Sequence, residues 1–389
     1  MQVSIDSLTR IGTPRSSDPR LLNRLFGSSE GILPLWIAEP YVPLSPTVVD
    51  AVKERASEGW YGYETRPREV LDTFWSWMDR RHGWDGSGLS TSISPSIGTS
   101  IGVLIGLLTE ENDGVILQPP VFTDFKPLIK RAGREPTRNS LRLENGLYTM
   151  DLEDLAARAS KPENKVLILC NPHNPVGRVW TAEELKAVAE ICSAEGVTVI
   201  SDEIHADLAL SSNHFVPFAT AAEGSGVRWA ATHGPIKTFG VAGIADTLLI
   251  TDDEELSAGF RSMTERLHLT RNNVFALAVA KAGFLAGDDW VDGLLALVAD
   301  NVETLEGGLP DGIDLIKPEG TYLAWLDFRQ LQMDVQELAK WLVGEARLAL
   351  SPGHWFGREG AGFARMTIAV DPVIIDEAVG RLQTAVAKR

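Results

Sequence analysis

Cysteine is nearly absent: Cys170 and Cys192 are the only two in 389 residues, and neither belongs to a CxxC or a Cys/His cluster. That excludes a disulfide framework and a thiolate metal centre, and it predicts a reduced, cytoplasmic protein without a metal. Long apolar runs are missing as well, because no segment has the roughly 18 uninterrupted apolar residues that a membrane span requires. The opening stretch MQVSIDSLTRIGTPRSSDPR has no apolar run behind a basic head, so no export leader is expected. Basic residues are in deficit, with 36 Lys and Arg against 53 Asp and Glu, a net charge of −17. Such a field repels phosphate backbones and anionic lipid surfaces, so nucleic-acid and membrane partners are not expected.

What is present is an ordinary globular composition, 44% hydrophobic and 23% charged, with 35 Gly and 21 Pro dispersed along the chain. The length predicts two or three domains of roughly 100–200 residues each. Between about residues 92 and 251, short runs rich in Val, Ile and Leu alternate with helical patterns, as in an α/β fold with a mostly parallel sheet. The runs are GVILQ (114–118), KVLILC (165–170), VTVISDE (197–203) and DTLLIT (246–251). Between the second and third, TAEELKAVAEICSAEG (181–196) reads as a crossover helix, opened by a capping box of Thr181 and Glu184 and ended at Gly196. From about residue 286 the pattern becomes α+β: helices at 291–309 and 334–346, strands at 321–328 and 362–370, and a closing helix. The first 45 residues contain no βα unit and are expected to pack on this C-terminal part. The expected division is a large domain over 46–285 and a smaller, discontinuous one over 1–45 and 286–389.

Three polar residues fall at or just beyond successive strand ends, where open α/β sheets hold their ligands. Asn174 lies in CNPHNPVGRVW, Asp202 ends VTVISDE, and Lys237 follows RWAATHGP in IKTFG. Taken singly they read as a structural turn Asn, a helix-capping Asp and a surface Lys. Spaced by about one βα unit each, they can meet in one crevice.

Together with LPLWIAEP (33–40), GYETRP (62–67), NPHNPVGRVW (171–180), SDEIHADL (201–208), IKTFGVAGI (236–244), PEGTYLAWLDF (318–328) and WFGREGAGFARMTIA (355–369), they give the chain a resemblance. It resembles the pyridoxal-phosphate enzymes of aminotransferase fold type I, and within them the MalY/PatB type of cystathionine β-lyases and cysteine-S-conjugate lyases. The resemblance implies that Lys237 forms the Schiff base with pyridoxal 5'-phosphate and moves the Cα proton, and that Asp202 pairs with the pyridine nitrogen. It implies that Asn174 donates to the ring's phenolic oxygen, with His205 near the same atom, and that Phe122 stacks on the ring. The amides near Ile97 and Gly98 in SPSIGTSIGVLIGLL (94–108) would receive the phosphate at a helix N-terminus. Arg365 would grip the substrate α-carboxylate, with Asn174 beside it. Tyr63 would reach the phosphate of the neighbouring subunit, which implies a homodimer.

The departures also carry information. The related lyases have Tyr where this chain has Phe122, and Ser where it has Ile236; their acidic ADMDF-like segment is AEPYVPL (38–44) here. Stacking on the cofactor is retained, a hydroxyl contact to the phosphate is lost, and the substrate entrance is reshaped. The leading expectation is β-elimination at the C–S bond of an S-substituted cysteine. The alternatives are decarboxylation-coupled oxidative deamination of an S-glycosylated cysteine, by similarity to lincosamide-antibiotic enzymes, and ordinary transamination. A non-catalytic regulator module is opposed by the charge and by the lack of a basic helix-turn-helix extension before residue 33.

Overall fold

The computed structural model describes residues 13–65, 68–210, 213–271 and 273–389. Positions 66 and 67 of the GYETRP segment, and positions 211 and 212 at the start of SSNHFVPF, lie outside the described residues, as do the first 12.

The centre is a seven-stranded sheet in the order Ser90–Ser94, Thr247–Thr251, Trp229–His233, Thr198–Asp202, Asn164–Cys170, Gly114–Leu117, Glu135–Arg138. Neighbours from Trp229–His233 through to Glu135–Arg138 all pair in parallel. Thr247–Thr251 is reversed and pairs antiparallel with strands on both sides. The connection of residues 234–246 holds only the four-residue helix Pro235–Thr238, without the sheet-covering helix that usually carries a chain back to a parallel neighbour.

Side chains alternate between two cores, as the period of a strand demands. Ile116, Leu167, Leu169, Val199, Ala231 and Ile250 face a core that also takes in Phe74 and Trp77. Val115, Leu117, Val166, Ile168, Ile200 and Leu249 face the other way, toward Ile101, Leu104 and Ile105 of the helix Ile97–Leu108. The crossover helix Ala182–Ala194 carries the capping box of Thr181 and Glu184 and buries Leu185, Val188, Ala189 and Cys192, one stripe at helical spacing.

A second, antiparallel sheet has the order Asp314–Ile316, Leu323–Asp327, Phe363–Thr367, Ser351–Pro352. The helices Asp288–Gly308 and Pro372–Ala387 pack together and share its core through Leu294, Val298, Leu305, Ile375 and Leu382. The N-terminal stretch is tied to this sheet's surroundings: Leu33–Pro34 pairs in parallel with Leu348–Ala349, and the Tyr41 amide donates to the Ala369 carbonyl at 2.8 Å.

Candidate active site

The strand Asn164–Cys170 ends in a tight loop. The Asn171 amide donates to the Asp202 carbonyl at 2.9 Å, Trp180 Nε1 donates to the Cys170 carbonyl at 2.9 Å, and His173 closes the loop through Arg178 and Gly177. This leaves Asn174 buried at the sheet's C-terminal edge.

Asp202 is the last residue of the next strand and lies opposite Thr232. Its Oδ1 accepts from Thr232 Oγ1 at 3.1 Å and from the Ile204 amide at 3.3 Å, two bonds on one oxygen. Burial pushes the Asp202 carboxyl up to about 6, although those two donors, Lys237 and His233 all favour the charged form. His205 is buried three residues on, edge-on to Tyr322, and its Nδ1 has no partner among the described residues. Burial first, then the charges of Lys237 and Arg365, hold it far below the usual histidine range, so the ring is neutral.

Lys237 rides on the turn after Trp229–His233. Gly234 has φ 156°, and a Cβ there would stand 3.2 Å from the Asp246 carbonyl and from Thr247 Cα, so the start of the reversed neighbouring strand would have to give way by a few tenths of an ångström to admit a side chain. Pro235 then opens the short helix at its first position, where a missing amide costs nothing. Lys237 Nζ donates to the Ala38 carbonyl at 2.6 Å, and burial together with the Arg365 guanidinium presses its pKa down to about 8.

Arg365 comes from the middle of the strand Phe363–Thr367 and is 6% exposed. Its NH1 donates to Asn174 Oδ1 at 3.0 Å, and its NH2 donates to the Trp36 carbonyl at 2.8 Å and to Ser351 Oγ at 3.3 Å. The Arg365 Nε is buried without a partner among the described residues. The pair joins the two sheets across 191 residues of sequence.

Ile97, Gly98, Phe122, Asn174, Asp202, His205, Ile236 and Lys237 line one cavity of about 360 Å³, within the size range of small-ligand sites. At one end the helix Ile97–Leu108 begins. Ser96 caps it by accepting from the Thr99 amide at 3.1 Å, while the first two amides, of Ile97 and Gly98, have no carbonyl within the helix to bond. Phe122 lies edge-on to Phe125, with centroids 5.4 Å apart. Tyr63 is not in this cavity: it is 87% exposed, with the Arg271 guanidinium 5.8 Å from its ring centroid, in a separate surface groove.

Several residues around the site were not singled out from the sequence. Thr232, which fixes Asp202, carries one signal, a polar residue ending the run RWAATH, but only the strand register shows that it faces Asp202. Asp207, His82 and Trp77, which hold the lysine turn through Thr238, are far apart in sequence and leave no local mark. Among the described residues no group of His, Cys, Asp and Glu is placed to hold a metal, and no helix is long and apolar enough to cross a membrane.

A mostly parallel sheet with a lysine-bearing turn at its C-terminal edge, closed by a smaller antiparallel sheet that contributes a buried arginine, defines the type I fold of the pyridoxal-phosphate transferases. The chain belongs to the aminotransferase class I and II family, whose model matches residues 35–382. Among its relatives are the cystathionine β-lyase PatB of Bacillus subtilis, 33% identical over 93% of this chain and 94% of that protein, and the protein MalY of Escherichia coli, 29% identical over 93% of each. Among solved structures it is similar to cystalysin of Treponema denticola, which contains a pyridoxal 5'-phosphate cofactor (TM-score 0.91, 25% identity, 100% of this chain and 98% of that one). It is also similar to the pyridoxal-phosphate-bound C-S lyase of Staphylococcus hominis (TM-score 0.84, 26% identity, 92% and 93%).

Proposed function

We propose that this chain is a pyridoxal-phosphate enzyme that catalyses β-elimination at the C–S bond of an S-substituted cysteine, releasing thiol, pyruvate and ammonia. The observation that carries this reading is the convergence of Lys237, Asp202, Asn174 and His205 on one cavity with Arg365 bonded to its edge.

The residues present fit the cofactor. Asp202 binds its protein partners through Oδ1, His205 Nδ1 and Arg365 Nε are buried without partners among the described residues, and Gly98 at the helix start lines the cavity, where a Cβ would make only ordinary contacts at 3.9 Å and beyond. Lys237 would hold its aldehyde carbon, Asp202 its pyridine nitrogen, Asn174 and His205 its ring oxygen, Phe122 its face, and the amides of Ile97 and Gly98 its phosphate. When bound, pyridoxal phosphate supplies a conjugated ring that takes up the electron pair released at the substrate Cα.

The chain's own groups do the rest. Once the substrate amine took its place on the aldehyde carbon, Lys237 would be free; with a pKa pressed to about 8 it is neutral in roughly a tenth of molecules at pH 7, and in that form it can act as the base that removes the Cα proton. Arg365, with its unpartnered Nε, grips the α-carboxylate and so disfavours its loss as carbon dioxide. The Cβ–S bond then breaks, its electron pair leaves with sulfur, and the thiolate takes a proton. The aminoacrylate left behind tautomerises and hydrolyses to pyruvate and ammonia.

The same reading takes residues 46–285 as the cofactor-binding domain and 1–45 with 286–389 as the smaller one. It places the enzyme in the cytoplasm, in keeping with two free, buried cysteines. It also makes the enzyme a homodimer in which Tyr63 completes the partner's site. Support comes from the surface around Tyr63, where Trp60 and Tyr61 are 54% and 53% exposed, an aromatic patch of the kind that marks interfaces.

The test is product analysis with a panel of cysteine S-conjugates, small and glycosylated. Equal amounts of thiol, pyruvate and ammonia are expected, with none from Lys237→Ala. Carbon dioxide and an S-linked aldehyde without free thiol would replace this reading with oxidative deamination, and a keto acid retaining sulfur would replace it with transamination.

A further inference from the structure

We propose that Arg131 is the counter-charge for the cofactor's phosphate, an inference that rests on the pyridoxal-phosphate reading above. A phosphate near neutral pH carries close to two negative charges, and taking it out of water demands charged or strongly donating partners. The whole chain carries a net charge of −17, which gives no background attraction.

The donors ordinarily at hand are few. The residue before the catalytic lysine is Ile236, and its apolar side chain lines the cavity. The Ser96 hydroxyl accepts from the Thr99 amide and shares a 2.9 Å hydrogen bond with Thr99 Oγ1, so this pair offers an anion one neutral O–H at most. Two helix amides, that hydroxyl and the Tyr63 phenol expected across the dimer interface remain, and none of them carries a full charge. Of the cations at the site, Lys237 is required at the aldehyde, and Arg365 is engaged with Asn174, Trp36 and Ser351.

Arg131 is the cation left. It ends the helix Phe125–Arg131 and lines the cavity together with Ser96, Ile97 and Gly98. Leu128, one turn earlier on the same helical face, sits directly over the helix start, its Cδ1 4.0 Å from where a Cβ on Gly98 would stand. The face that bears Arg131 therefore passes across the phosphate end. Lys130 is paired with Glu135, whereas Arg131 has no hydrogen bond or ion pair among the described residues. Its guanidinium is free to fold over an incoming anion and offers two parallel donors to it. Asp124 stands on the same rim and opposes the effect. The two side chains are not bridged, so the arginine's charge is not cancelled.

The experiment compares pyridoxal 5'-phosphate with pyridoxal, which lacks the phosphate, in equilibrium dialysis against cofactor-free protein. The wild type is expected to bind the phosphate form far more tightly. Arg131→Met is expected to weaken that binding by roughly 10–100-fold, the range of one charged hydrogen bond or bidentate pair, and to leave pyridoxal binding unchanged. Arg131→Lys should recover part of the loss, and Asp124→Asn should tighten the phosphate form. Salt should weaken the wild type more than Arg131→Met. Unaltered phosphate-form affinity in Arg131→Met, or an equal loss for both ligands, would overturn the proposal. A wild type that binds neither ligand would instead remove the cofactor reading itself.

Discussion

Asp207 Oδ2 accepts a 2.6 Å hydrogen bond from the hydroxyl of Thr238, the residue that follows Lys237. Its other oxygen accepts from Trp77 Nε1 and bonds His82 Nε2, both at 2.8 Å. The turn that carries Lys237 is thereby fastened to the helix Arg68–His82 behind it. Burial alone would raise the Asp207 pKa, but bonds and charge from His82, with the bonds from Thr238 and Trp77, outweigh it and hold the group below the usual carboxylate value. A depressed pKa contributes stability that is present above the unfolded value of 3.8 and is lost as pH falls through the folded one.

Asp207→Asn turns an amide donor toward donors already in place, so at neutral pH it is expected to cost about 3–5 kcal/mol in urea unfolding. That deficit should narrow below pH 4, where the wild type loses the same charge. Thr238→Val keeps the shape and is expected to cost about 1–3 kcal/mol. A Thr238→Val protein as stable as wild type would show that the bond does not anchor the turn.

Asp202 behaves oppositely. Burial raises its pKa to about 6, so in cofactor-free protein its contribution is full below the unfolded value of 3.8 and lost as pH rises through 6. Asp202→Asn retains an oxygen for Thr232 and Ile204 and carries no charge. It is expected to stabilise the cofactor-free protein at pH 7–8 by up to about 3 kcal/mol, with the gain gone below pH 4. The same variant should lose most turnover, because the pyridine nitrogen would no longer face a carboxylate. Thermal unfolding across pH checks the first half, and a gain that does not depend on pH would contradict it.

The strands and the crossover helix were legible because each is a local pattern: GVIL, KVLILC, VTVIS and TLLIT are β-rich runs, and Thr181 with Glu184 is a capping box. The convergence of Asn174, Asp202 and Lys237 was legible from topology, since strand ends in a parallel sheet share one edge. The reversal of Thr247–Thr251 was not, because antiparallel and parallel strands buried on both faces look alike in sequence. The bond from Arg365 to Asn174 and the anchor at Asp207 depend on contacts between distant segments, which no periodicity records.

Lys237 should titrate near 8 in the cofactor-free protein, well below the ordinary lysine value of 10.5, because burial and the Arg365 charge both disfavour its ammonium form. Reductive ¹³C-methylation followed by an NMR pH titration reads this directly, with Lys237→Ala assigning the resonance. Arg365→Met removes one of the two causes and is expected to move the midpoint upward. A midpoint near 10.5 in the wild type, or one that Arg365→Met leaves in place, would contradict the electrostatic account.

Phe122 tests whether a ring alone suffices where the related lyases carry a phenol. Its ring lines the cavity and is fixed edge-on against Phe125 at 5.4 Å, so its orientation does not depend on a hydroxyl bond. If the ring contributes only stacking and Lys237 moves the proton, Phe122→Tyr should leave the rate of thiol release within about threefold of wild type. Phe122→Leu loses the aromatic contact, worth about 0.5–1.5 kcal/mol beyond burial, and should weaken cofactor retention by roughly 2–10-fold with the product ratio intact. Thiol, pyruvate and bound cofactor measured side by side separate the two effects. A rise of tenfold or more in thiol release for Phe122→Tyr would show that the missing hydroxyl limits this enzyme, and that Lys237 alone does not complete the proton transfers.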